Sequence, residues 1–75
     1  MHGGKRSGWA SFGSLALDSG KALPPQVCSS AAGYYIGTLD TDGEPYSRES
    51  EEYWPTRPAA EAALSKRGWT QRRTP

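Results

Sequence analysis

Between Gly33 and Trp69 the chain reads strand, turn, strand, hinge, helix, and that order admits few folds. The run Tyr34-Tyr35-Ile36-Gly37-Thr38-Leu39 is aromatic and β-branched, the composition that a pleated strand favours. Asp40-Thr41-Asp42-Gly43 follows as a turn, with Gly43 free to take a positive φ. Residues 44–49 return as a second strand. Pro45 cannot donate to a ladder, so it stands at the start of that strand or at an edge. Residues 50–54 either continue as a third strand or cross to the helix.

Helix boundaries are the sharpest local signal. Thr56 can cap, Arg57 and Pro58 fill the first turn where a missing N–H is harmless, and residues 59–66 are strong helix formers. Ala60, Ala63 and Leu64 make an inward stripe. Lys66 and Arg67 suit the negative end of the helix dipole. Gly68 fits the left-handed closing position, with Trp69 beyond it folding back on Leu64. Trp69-Thr70-Gln71 offers a last strand, and residues 73–75 read as a frayed tail.

Aliphatic side chains are scarce, so three Trp, four Tyr and one Phe must supply most of the core. Each removes on the order of 150–250 Å² from water when buried. The expected fold is a single α+β domain. A small antiparallel sheet of two or three strands carries one C-terminal helix packed on one face, over residues 34–72. Residues 1–33 hold six of the nine glycines, together with Pro24-Pro25. Trp9, Phe12, Leu15 and Leu17 follow no period there. This third reads as disordered or loosely attached, with residues 27–32 able to add a short edge strand.

The chemistry-bearing residues exclude more than they suggest. His2 is the only histidine and Cys28 the only cysteine, and neither has an evident base or orienting group for nucleophilic catalysis. Metal or cofactor binding lacks His and Cys ligands. Asp40-x-Asp42-Gly43 with Glu51 has its glycine two residues early for a calcium loop and reads as an acidic turn. Glu49, Glu51 and Glu52 read as a charged, solvated edge. A lone cysteine permits no internal disulfide and fits a reducing, cytoplasmic setting. Lys5-Arg6 precede an apolar stretch that Gly13 and Ser14 break and Asp18 ends, unlike a signal peptide. No run approaches the ~20 apolar residues of a membrane span. The expectation is a non-enzymatic protein without cofactor or membrane.

Charge and aromatic placement then frame two functions. Seven acids (Asp40, Asp42, Glu44, Glu49, Glu51, Glu52, Glu61) face Arg48 and Arg57 across residues 40–61, whereas Lys66, Arg67, Arg72 and Arg73 make the end basic. The aromatics of residues 34–54 exceed what one helix covers. Alternation along a strand sends some to the other face, where Tyr35, Tyr46, Tyr53 and Trp54 would anchor another protein or a second copy. The acidic strand residues would orient that encounter. The opposing possibility is that the N-terminal third folds over this face. A separate function class is nucleic-acid binding, with Lys66, Arg67, Arg72 and Arg73, joined by Lys5 and Arg6, contacting phosphates beside Trp69.

The segments Tyr34–Leu39, Asp42-Gly43-Glu44-Pro45-Tyr46-Ser47-Arg48-Glu49-Ser50, Pro55-Thr56-Arg57 before an Ala-Ala-Glu-Ala-Ala-Leu helix, and Gly68-Trp69-Thr70-Gln71-Arg72 together resemble small uncharacterised ββα proteins of bacterial and phage genomes. That resemblance covers residues 34–72 and implies a compact ββ(β)α unit without an assigned activity. A second resemblance is to the N-terminal arm-binding domain of phage integrases, through Leu23-Pro24-Pro25, Gly33-Tyr34-Tyr35, the Asp42-Gly43 turn and the alanine-containing helix. Those domains read DNA with a three-stranded sheet. The acidic Glu44, Glu49, Glu51 and Glu52 on the corresponding strands depart from that use.

Overall fold

The computed structural model describes residues 12–74. Helix α1 (Ser14–Asp18) precedes strands β1 (Gln26–Ser30), β2 (Gly33–Leu39) and β3 (Pro45–Arg48), and helix α2 (Arg57–Lys66) closes the order. The strands form one antiparallel sheet in the order β1-β2-β3. This is the expected α+β fold, a three-stranded sheet with a C-terminal helix.

Local chemistry sets the turns. The Asp40 carboxylate accepts from the N–H groups of Asp42 (2.9 Å) and Glu44 (3.0 Å), and Gly43 takes φ 82°. Such a side-chain-braced turn is what Asp and Gly at these positions favour. Pro45 begins β3, as a residue without an N–H should. Thr56 caps α2 by accepting from Ala59 N–H at 3.2 Å.

The helix ends one residue earlier than the sequence suggests. Arg67, not Gly68, takes the left-handed conformation (φ 57°, ψ 35°). Gly68 N–H then reaches Ala63 C=O at 2.8 Å and Arg67 N–H reaches Leu64 C=O at 3.3 Å, a Schellman-type closure. The early stop lets the chain turn back, so that Thr70 N–H meets the Glu52 carboxylate at 2.9 Å. A side chain in the left-handed region costs roughly 1 kcal/mol relative to glycine. Arg67→Gly is therefore expected to raise stability by about 0.5–1 kcal/mol, read as a higher denaturation midpoint with an unchanged far-UV spectrum.

Both helices lie on one face of the sheet. Ile36 and Thr38, fully buried, sit on that face with Tyr34, since alternate residues of a strand share a side. The Arg57 guanidinium of α2 lies 5.3 Å from the Tyr34 ring centre, and a side chain on Gly13, at the start of α1, would strike Thr38. Val27, Ile36, Leu15, Ala16 and Ala60 complete the buried apolar layer. Trp69 stands with Leu64 in the wall of an open cavity of about 220 Å³ between the helices, as its fold-back position implies.

Two expectations need correction. The N-terminal third is not loosely attached over residues 12–33: α1 buries Leu15 and Ala16, and β1 pairs with β2 along its whole length. Lys5, Arg6 and Trp9 lie outside the described residues. The physical reason is Glu49, the second correction. Expected on a solvated edge, it is fully buried. Its carboxylate accepts from Leu15 N–H (2.9 Å), Ala16 N–H (3.1 Å), the Ser47 hydroxyl (2.6 Å) and the Gln71 amide (2.7 Å). Gly13 provides no side-chain cap for α1. Glu49 supplies that cap from across the fold, and it ties α1, β3 and the C-terminal segment together. Burial acts to raise its pKa, but the bonds from Ser47, Leu15, Gln71 and Ala16 together outweigh burial and leave it below the ordinary 4.5.

Candidate functional site

The opposite face of the sheet carries no helix among the described residues. Tyr35 projects there, one residue out of phase with Ile36, and its ring lies across Gly37. Gly37 pairs with Arg48 on β3 and Tyr35 pairs with Cys28 on β1, so all four share this side. Beyond β3 the chain bulges. Glu49 and Ser50 both donate their N–H groups to Ile36 C=O, and Trp54 rejoins β2 through bonds to Tyr34 in both directions. The bulge brings Tyr53 over Tyr35, with ring centres 5.9 Å apart and planes at 77°.

Arg48 holds this arrangement. Its Nε donates to Ser50 C=O (2.9 Å), one terminal nitrogen to Glu51 C=O (2.7 Å), and the other to the Tyr53 hydroxyl (2.9 Å). The guanidinium also lies 4.3 Å from the Tyr53 ring centre, a cation–π contact. Tyr53 nevertheless remains 39% exposed, whereas Tyr35 beneath it is 7% exposed. Burial raises the Tyr35 hydroxyl above its ordinary value, aided by Cys28 and Tyr53 and opposed by Arg48. Burial likewise raises the Cys28 thiol against the lowering influence of Tyr35, Gly37 and Arg57. Both groups stay neutral at physiological pH. The result is an aromatic pair with a fixed cation, neutral underneath and open above.

Of the four anchor residues, the structure brings Tyr35 and Tyr53 together. Trp54 pairs with Tyr34 and so shares the helix-covered face, half-buried. Tyr46 is half-buried elsewhere, its hydroxyl 2.5 Å from Ser19 Oγ and its ring 5.2 Å from Lys21 Nζ. Sequence reasoning missed Arg48, whose signal was available in an arginine flanked by Tyr46 and Tyr53. The basic residues divide as well. Lys66, Arg67 and Arg73 are exposed. Arg72 is half-buried, 3.6 Å from the Glu51 carboxylate, and donates to Thr74 C=O. Both Glu52 oxygens accept from Thr70 N–H, at 2.9 and 3.1 Å.

Among the described residues, no three His, Cys, Asp or Glu side chains converge as metal ligands would, and no helix is long and apolar enough to cross a membrane. No family model, curated protein or solved structure matches the chain.

Proposed function

We propose that this chain is a non-enzymatic protein-interaction module that docks a partner on the helix-free face of its sheet, with Tyr53 and Arg48 as the anchors. The single observation that carries this reading is Tyr53 itself. It is a large aromatic left open on a two-layer fold, yet held rigidly by a stacked arginine and a perpendicular tyrosine. Tyr and Arg are the residues that most often concentrate binding energy at interfaces, and rigid anchors lose little side-chain freedom on docking. The buried, neutral Tyr35 and Cys28 give the patch a dry floor. Fixing Arg72 against Glu51 removes one cation from the basic end, which favours a protein partner over nucleic acid.

Tyr53→Ala tests the proposal. Proteins retained by the immobilised chain are compared with those retained by the variant, with thermal unfolding as the control for fold. Binding is expected to fall by on the order of tenfold or more, the loss typical of an interface hot spot. Equal retention by a folded Tyr53→Ala variant overturns the reading.

A further inference from the structure

The two edges of the sheet are treated differently. Past the end of β3, residues 70–72 cover the edge along residues 49–51: Glu51 N–H reaches Thr70 C=O at 2.9 Å and Arg72 N–H reaches Glu49 C=O at 2.7 Å. Strand β1 has no such cover among the described residues. The hydrogen bonds of β2 reveal which β1 groups point away from the sheet. Tyr34 and Ile36 turn their N–H and C=O groups toward Trp54, Glu49 and Ser50, away from β1. In an antiparallel pair the pointing direction alternates, so Gly33, Tyr35 and Gly37 face β1 and engage Ser30, Cys28 and Gln26. Val27 and Ser29 are thereby left with both backbone groups directed outward.

Exposed edges are usually blunted by lysine, proline or a bulge. The β1 sequence Gln26-Val27-Cys28-Ser29-Ser30 has no charge and no proline, and it pairs with β2 in unbroken register. It is also self-complementary. With a two-fold axis at Cys28, Val27 of one copy stands opposite Ser29 of the other, and each outward N–H meets an outward C=O.

Resting on the protein-interaction reading above, we infer that a second copy of this chain adds to the sheet at β1, edge to edge, with the two-fold axis between the paired Cys28 residues. The pairing makes one continuous six-stranded sheet. It leaves both Tyr53–Arg48 patches on that sheet's helix-free face, available to a further partner. Cys28 becomes a non-hydrogen-bonded cross-strand pair with Cα atoms about 4.5 Å apart, inside the roughly 4.4–6.8 Å that a disulfide spans. In a single copy Cys28 is only 5% exposed, so random collision oxidises its thiol slowly.

Amide hydrogen exchange on the full-length chain, followed from low micromolar to about millimolar concentration, tests the pairing. Gln26, Cys28 and Ser30 are expected to be protected throughout, while Val27 and Ser29 become protected by about tenfold or more only as concentration rises. Ser29→Pro removes one outward N–H without touching the ladder to β2, so it should abolish the rise at Val27 and leave a monomer by sedimentation. Diamide, which accepts the two electrons and two protons released as two thiols join, should cross-link the native chain through Cys28 and spare Ser29→Pro. Free exchange of Val27 and Ser29 at every concentration overturns the inference, as does protection independent of concentration or a dimer that survives Ser29→Pro. A strict monomer whose binding still depends on Tyr53 removes the edge pairing and leaves the partner-docking reading standing. Where Ser29→Pro fails to fold, the exchange profile of the native chain decides alone.

Discussion

Replacing Glu49 by alanine is expected to lower the free energy of unfolding by about 3–5 kcal/mol, because it strands the Leu15 and Ala16 N–H groups and removes the carboxylate that joins three parts of the fold. The Leu15 and Ala16 N–H groups, the Ser47 hydroxyl and the Gln71 amide all converge on this carboxylate. Each stranded group costs roughly 1–3 kcal/mol, partly relieved where water can enter. A domain of this size holds about 5 kcal/mol or little more in total, so Glu49→Ala should be largely unfolded near 37 °C. Urea titration reads the loss directly. The same group sets the acid response. Unfolded, Glu49 titrates at its ordinary 4.5, and folded it titrates lower, so the unfolded chain binds more protons in between. The stability it contributes is complete above that value and is lost as pH falls through the folded pKa. Glu49→Gln should flatten the decline of stability in that acid window. Burial acts to raise Glu52 too, but its Thr70 bonds leave it below the ordinary 4.5, so it adds to the slope in the same window.

Gly37→Ala is the second large effect. A methyl group there would meet the Ser47 carbonyl oxygen, which is backbone and cannot swing aside, and Tyr35 Cε2 at 2.7 Å. Overpacking of this kind costs typically 1–3 kcal/mol, and the fixed carbonyl puts the expected loss at about 3 kcal/mol. The change should also lift the Tyr35 ring and disturb the edge-to-face contact with Tyr53. Gly37→Ala is therefore expected to weaken partner binding along with stability, whereas Tyr53→Ala weakens binding strongly and stability by only about 1 kcal/mol, the loss of its contacts with Tyr35 and Arg48. Calorimetric melting of both variants beside their binding curves separates the two patterns.

What could be read from the sequence is what neighbours in the chain decide. The Asp40–Gly43 turn, the Pro45 strand start and the Thr56 cap each depend on residues within four positions, and all three stand in the structure. Helix α2 closes at Arg67, one residue before the glycine that sequence preference favours, and the chain beyond it returns to Glu52. Glu49 was illegible for a related reason. Its donors lie 34, 33 and 22 residues away as well as 2, so nothing nearby marks it as buried. Without that distant cap, α1 is a five-residue stretch with no side-chain cap of its own, and residues 12–33 read as loose. The patch on the open face was half legible: strand alternation placed Tyr35 there, but only the bulge after β3 brings Tyr53 above it.

The proposed binding function depends on one face of the sheet being roofed and the other open, with Tyr53 standing on the open side. A soluble paramagnetic agent added to the labelled chain measures this residue by residue. Tyr53 and Arg48 side-chain signals should broaden strongly, while Ile36, Val27 and Ala60 stay sharp. Tyr53 shielded as fully as Ile36 would contradict the open face and the binding function drawn from it.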